Sequence, residues 1–421
     1  MPPLLGSIAD DFTGATDLAG MLVKQGMRTV QMIGVPRQAP PEGLDAIVVA
    51  LKTRTTPPQD AIDTSLTALE WLRDAGCRQF FLKYCSTFDS TSRGNIGPVA
   101  DALMEALHTD FTVACPAFPA NRRTVYRGYL FVGDVLLHES GMQNHPLTPM
   151  TDSNLVRVLQ AQSRGKVGLI GHESVAEGAA EIQRAYAKAR TQGAGIAIVD
   201  AISDSDLIEI GAACRDMPLV TGGSGLGMGL AASFGAQGLL PENAEAGKLP
   251  HVDGLAAVIS GSCSLATQRQ VAAMKNAAPS FEVDPLRLAA GADVVAEAID
   301  WASTRLPGGP ILIYATADSA RVKAIQEQLG AARAGALVEN TLAAITCRLV
   351  AAGVRRLIIA GGETSGAAVG ALGVSGLRIG PEIDPGVPWT TSIDDPPLAL
   401  ALKSGNFGTD DFFLKAWSRL P

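Results

Sequence analysis

The sequence predicts two doubly wound, mostly parallel α/β domains. Three observations lead there. Short apolar runs alternate with amphipathic stretches along nearly the whole chain, which is the pattern of β-α-β units. Forty-five glycines accompany only 5% aromatic residues, a balance that suits many tight turns and close backbone approaches. The alternation pauses over 237–253, where Pro241, Asn243, Gly247 and Pro250 break the periodicity and charge density rises. The length of 421 residues, at roughly 150 per domain, agrees with two or three domains.

In order along the chain, strands are predicted at 4–9, 29–33, 46–51, 79–83, 111–115, 167–171, 195–199 and 219–221. Helices fit between them at 59–74, 96–107 and 175–191. Beyond the pause, strands are predicted at 255–260, 311–315, 357–360, 377–379 and 398–403, with helices at 267–276, 293–304 and 337–352. The expected division is therefore a first domain over 1–240, a linker over 241–253 and a second domain over 254–421.

Composition removes several function classes. Hydrophobic residues at 47% against 18% charged residues lie far from the composition of disordered chains. A net charge of -8 lacks the basic footprint that nucleic acid requires. The six cysteines form no C-x-x-C pair and are read as reduced, mostly buried thiols. The five histidines never stand at i, i+3 or i, i+4 spacing, so no metal site is read. The amino-terminal residues carry no basic n-region before Asp10, unlike a signal peptide. Glycines interrupt the long uncharged stretch 221–241 too often for a membrane span. A cytoplasmic protein with no nucleic-acid or membrane partner is expected, and the sequence leaves homo-oligomerisation open.

Parallel sheets bind ligands at the carboxyl ends of their strands, so the residues just after each strand are the candidates. The first strand runs into Asp10-Asp11-Phe12-Thr13-Gly14, whose carboxylates could orient or deprotonate a hydroxyl or hold a metal ion, or of which one could cap a helix. The strand at 79–83 opens into a loop from Lys83 to Asn95 that gathers Ser86, Arg93 and four further hydroxyls. That loop suits an anionic, hydroxyl-rich ligand, or is a solvated turn region. Cys115-Pro116-Ala117-Phe118-Pro119-Ala120-Asn121-Arg122-Arg123 and the connection His145-Pro146-Leu147-Thr148-Pro149 follow, each open to a binding or a structural reading.

The second half supplies glycine- and hydroxyl-rich turns instead. Ser260-Gly261-Ser262-Cys263-Ser264 and Gly361-Gly362-Glu363-Thr364-Ser365-Gly366 each lie between a strand and a helix, and Lys403-Ser404-Gly405-Asn406-Phe407-Gly408 follows the last strand. Backbone N–H groups at such turns bind anions, and glycine lets a phosphate approach; equally, glycine serves backbone shape alone. No P-loop, dinucleotide G-x-G-x-x-G or G-x-S-x-G elbow occurs. Acids in one domain and phosphate turns in the other predict phosphoryl transfer across an interdomain cleft.

At Ile8-Ala9-Asp10-Asp11-Phe12-Thr13-Gly14-Ala15, at the 361–366 turn and at the 403–408 turn, the chain resembles the four-carbon acid sugar kinase family. Further motifs over 83–91, 145–152 and 380–389 resemble members that phosphorylate the 4-hydroxyl of 3-oxo-tetronate (3-dehydrotetronate); relatives acting on D-threonate or D-erythronate share the main motifs. The resemblance implies a sugar-acid-binding N-terminal domain and a C-terminal domain that binds ATP with Mg²⁺. It implies ATP contacts at Ser260, Gly362, Glu363, Thr364, Ser365 and Gly405. From the loop chemistry, Asp11 or Asp10 is expected as the base, Lys83 and Arg93 as the groups that hold the substrate carboxylate or neutralise the transferring phosphoryl group, and Thr13, Ser86 and Asn95 as further substrate contacts. Arg122 departs from the glycine expected there. Two other classes stand against the kinase. A hydroxy-acid dehydrogenase lacks its dinucleotide turn, and a non-catalytic sugar-acid sensor would not need paired acids beside phosphate turns.

Overall fold

A computed structural model describes residues 2–145, 147–241 and 245–420. Pro146 of the 145–149 connection and Asn243 of the pause lie outside the described residues. Contacts divide the chain into Met1–Gly247 and Lys248–Pro421.

The first unit runs β1 (Leu5–Ala9), α1 (Phe12–Lys24), β2 (Thr29–Ile33), β3 (Ala46–Ala50), α2 (Pro58–Asp74), β4 (Gln79–Lys83), α3 (Ile96–Ala106) and β5 (Thr112–Cys115). It continues with β6 (Arg123–Tyr126), β7 (Tyr129–Val132), β8 (Val135–Leu136), α4 (Leu155–Gln160), β9 (Lys166–Ile170), α5 (His172–Val175), α6 (Ala179–Thr191), β10 (Ala194–Val199), α7 (Asp204–Ala213), β11 (Leu219–Gly222) and α8 (Ser224–Ala236). Its main sheet has the order β2-β3-β1-β4-β11-β5-β10-β9, and these neighbours pair in parallel. Strands such as β1, β3 and β4 are buried along their full length, as expected for strands covered on both faces. The chain moves one way from β1 and the other way to β4, so the strand order reverses between them; right-handed crossovers then put α1 and α2 on opposite faces.

Two features differ from the sequence reading. The small antiparallel sheet β6-β7-β8 was not expected, because its strands are only two to four residues long and follow one another closely, so no single run stands out. The helix expected over 175–191 is two helices, parted at Gly178, whose φ of +87° no other residue adopts cheaply.

The second unit runs β12 (Leu255–Ser260), α9 (Leu265–Lys275), β13 (Ser280–Glu282), α10 (Pro285–Ala289), α11 (Val294–Ser303), β14 (Ile311–Tyr314), α12 (Ser319–Leu329) and α13 (Ala331–Ala351). Then come β15 (Val354–Ala360), α14 (Gly362–Ala371), β16 (Gly376–Asp384), β17 (Val387–Ser392), β18 (Ala399–Lys403) and α15 (Phe412–Lys415). The order is β13-β14-β12-β15-β18-β17-β16, parallel as far as β18 and antiparallel beyond it. The strand expected at 377–379 is longer and turns at Gly386 into β17; Gly380 and Pro381 interrupt its apolar pattern.

The core of this unit gathers Val258, Leu312, Ile358, Trp389, Phe412 and Phe413. Trp389 is fully buried, and its Nε1 donates to the Ala416 carbonyl at 2.9 Å. Truncating such an aromatic costs about 3–5 kcal/mol. At 21 residues, α13 is long and apolar enough to span a membrane by length and composition. In the fold it buries Leu342, Ile345 and Leu349 and packs on α11, α12 and α14, as a core helix does.

Candidate functional site

The register of the first sheet brings three loops together. Ala9 pairs with Ala50 on one side and Lys83 on the other, so β3, β1 and β4 release their chains side by side. Backbone bonds fix the exits: Asp10 N donates to Lys83 O at 3.0 Å, and the N–H groups of Thr53 and Arg54 donate to Asp10 O at 3.0 and 3.2 Å.

Arg54 is the hub of this cluster. Its Nε and Nη2 donate to the two oxygens of Asp10 at 2.9 and 2.8 Å, Nη2 also donates to Asp11 Oδ1 at 2.6 Å, and Nη1 reaches Asp89 Oδ2 at 3.5 Å. A guanidinium suits this role because its planar fork matches carboxylate edges. Sequence reading missed Arg54, which lies 44 residues from Asp10. Its signal is that it closely follows the carboxyl end of a fully buried strand, as the other candidates do.

Asp10 and Asp11 have different surroundings. Burial raises the Asp10 carboxyl above its ordinary value, against the pull of Arg54. Burial acts on Asp11 too, but Arg54, then Lys83, and the bonds from Thr13 and Gly14 outweigh it and hold the carboxyl below its ordinary value. Asp11 caps α1: its Oδ1 accepts from Gly14 N at 3.1 Å and its Oδ2 from Thr13 Oγ1 at 2.8 Å. The helix-cap reading of one acid therefore describes Asp11.

Lys83 is buried, and its Nζ lies against Gly14, where an added Cβ would sit 2.7 Å from it. Asp89 is held by Thr87 Oγ1 at 2.7 Å, and both it and Phe88 have positive φ, so this loop is bent sharply toward the cluster. Asn95 is buried and ties down the segment that carries Arg54: its Nδ2 donates to the carbonyls of Thr53 and Thr56 at 2.7 and 2.8 Å. Ser86 is half-buried, whereas the Arg93 side chain is exposed and makes no ion pair with the acids. Arg122 has φ +57°, the region glycine enters freely, and its guanidinium pairs with the exposed Asp134.

In the second unit the strand ends again come into line. Ser260 pairs with Tyr314 and with Ala360, and Ala360 pairs with Lys403, so all three glycine turns leave neighbouring strands. The order reverses between β12 and β15, which is where open sheets bind ligands. A cavity of about 320 Å³ opens there, lined by Gly261–Cys263, the 361–364 turn and apolar residues of α12 and α13 such as Ile325 and Val338.

Gly362 begins α14 with nothing within 4 Å of an added Cβ, a space open to a ligand, and no side chain caps that helix. Glu363 is exposed beside it, while Thr364 and Ser365 are buried. Ser365 Oγ donates to Ile359 O at 3.3 Å, and Ser260 Oγ lies 2.7 Å from Thr316 Oγ1, so both hydroxyls serve the turns' own structure. Gly405 is drawn against the first turn, where an added Cβ would lie 2.6 Å from Ser262 Oγ. A nucleotide fits these residues: apolar walls for a base, and free helix amides with glycine for phosphate.

A larger hollow of about 780 Å³ lies beside Pro2, Leu44 and Ala75, which precede β1, β3 and β4. It is therefore at the amino ends of those strands, away from the acids.

Residues 5–230 match the model of a sugar-binding N-terminal domain and 257–413 that of a nucleotide-binding C-terminal domain. A Burkholderia multivorans protein named 3-oxo-tetronate kinase is 61% identical, covering 98% of this chain and 96% of its own. A Salmonella typhimurium protein of the same name is 48% identical over 98% of both. The crystal structure of Haemophilus influenzae protein HI1011 superposes with a TM-score of 0.87 at 46% identity, covering 99% of this chain and 100% of that one. A Salmonella typhimurium LT2 crystal structure, carrying a provisional tRNA-synthase description, gives 0.91 at 48% identity over 99% of both chains. With both halves matched and relatives aligned from end to end, the chain belongs to the four-carbon acid sugar kinase family.

Proposed function

We propose that this kinase transfers the γ-phosphoryl group of ATP to the 4-hydroxyl of 3-oxo-tetronate, with the sugar acid held by the first unit and the nucleotide by the second. The observation that carries the reading is the Asp10–Asp11 pair clamped by Arg54 at the strand ends of the sugar-binding half. Asp10 is the base: Arg54 binds both of its oxygens, but burial raises its carboxyl and makes it the better proton acceptor, whereas the Asp11 carboxyl is held below its ordinary value and caps α1. Asp10 takes the hydroxyl proton as that oxygen bonds to the γ-phosphorus, and ADP leaves with the bridging oxygen. Lys83 and Arg54 offset negative charge in a site where positioning and electrostatics do most of the work.

In the second unit, the amides at Gly362–Thr364 and Gly405 would receive the phosphates. Mg²⁺ would travel with them, keeping most of its waters, with Glu363 and Glu339 as carboxylates at the cavity wall able to bind one. Filling the open space with Gly362→Val is expected to change unfolding free energy by less than about 0.5 kcal/mol. The same change should raise KM for ATP at least about tenfold. An unchanged KM in steady-state assays would remove Gly362 from the nucleotide site.

Turnover decides the substrate. ADP release with Mg-ATP should be fastest on 3-oxo-tetronate in a panel with D-threonate, L-threonate and D-erythronate, and NMR should find the product phosphate on C4. Preference for a threonate or erythronate would reassign the substrate within the family. Silence across the panel, with ligand still binding, would favour a sensor.

A further inference from the structure

The 403–409 turn has more donors behind it than its chain path requires. Lys403 ends β18 fully buried, and its ammonium donates to Thr267 Oγ1 and to the carbonyls of Ser404 and Gly405 at 3.0 Å each, and to that of Phe407 at 3.1 Å. Gln270 on α9, also fully buried, donates through Nε2 to the carbonyls of Phe407, Gly408 and Thr409, each at 3.0 Å. Thr267 Oγ1 and Ser264 Oγ also donate to the Gly405 carbonyl, at 2.8 and 2.5 Å.

These groups are costly to bury. No ion pair compensates the Lys403 ammonium among the described residues, and burial pushes it down to about 8. Gln270 Oε1 is buried with no hydrogen-bond partner, so the side chain is retained for its Nε2. What the two share is the direction they impose. Across a trans peptide the carbonyl of one residue and the N–H of the next point opposite ways. With the carbonyls of Ser404 and Gly405 drawn inward, the N–H groups of Gly405 and Asn406 point the opposite way.

We propose that Lys403 and Gln270 are positioning residues for the nucleotide phosphates: they hold the turn's carbonyls inward so that the Gly405 and Asn406 amides form an anion-binding concavity, with the ammonium adding positive charge behind it. The inference rests on the nucleotide reading of the second unit and specifies how one of its turns works.

The test is calorimetric binding of a non-hydrolysable ATP analogue with Mg²⁺ to the full chain, alongside steady-state kinetics. Lys403→Met should raise the Kd for the analogue, and KM for ATP, at least about tenfold, while KM for the sugar acid changes by less than about twofold. In Lys403→Ala, n-propylammonium should restore analogue affinity and n-propanol should not, because the space left is lined by four oxygen acceptors. A folded Lys403→Met chain with wild-type Kd, or equal restoration by the alcohol, overturns the proposal. Should neither Lys403 variant fold, Gln270→Leu decides: a several-fold higher Kd supports the positioning role and an unchanged Kd overturns it. Wild-type protein that binds no analogue would instead overturn the nucleotide reading itself.

Discussion

Asp10→Asn is expected to lower kcat on the preferred sugar acid by about 10²–10⁴, the range for loss of a general base. Asp11→Asn should lose less than about tenfold. Asparagine caps helices as well as aspartate does. At position 11 its amide oxygen can still accept from Gly14 and Arg54, and its NH2 can donate to a reoriented Thr13 hydroxyl. At position 10 the amide removes both the proton acceptor and one of two bonds to Arg54. The pH profile provides a second check. Burial raises the Asp10 carboxyl, so kcat/KM should fall toward acid pH through a pKa above the ordinary 3.8, and that limb should be missing in Asp10→Asn. Steady-state rates of both variants settle the assignment; near-full turnover in Asp10→Asn sinks it.

Arg54→Leu should be the most damaging single change in the first unit. The side chain is 21% exposed and faces three carboxylates. Removing one partner of a buried ion pair typically costs about 3–5 kcal/mol, because the charges left behind are uncompensated. Equilibrium unfolding should show a loss of that order, and any folded fraction should have lost turnover. Arg54→Lys separates charge from geometry. It keeps the cation but not the fork that grips both Asp10 oxygens, so it should recover much of the stability and little of the activity. Wild-type stability and turnover in Arg54→Leu would remove Arg54 from the site.

The strand ends carried most of what the sequence could tell. Strands buried on both faces announce themselves as apolar runs, so 29–33, 79–83 and 255–260 coincide with observed strands, and Asp10, Lys83, Ser260 and Gly361 could be inspected at the ends of the strands predicted at 4–9, 79–83, 255–260 and 357–360. Arg54 also follows a buried strand end, but its link to Asp10 lies in sheet order: β3 pairs with β1, a relation that no local pattern encodes. Arg93 and Asn95 show the converse. Both stood in a loop of suitable chemistry, yet one faces solvent and the other spends its amide on the backbone around Arg54. Val387–Ser392 was not read because Pro388 and the polar run Thr390-Thr391-Ser392 mask a strand whose burial comes from the hairpin it forms with β16.

Each unit is drawn from an unbroken stretch of chain, and this orders their maturation. At about 5–20 residues per second, the stretch from 248 to 412 takes about 10–30 s to make after the first unit's last residue has been added. The sugar-binding half therefore has time to fold on the ribosome before its companion exists in full. The other half waits for Phe412 and Phe413 to close its core, and until then its apolar strands are exposed to chaperones, proteases and neighbouring chains.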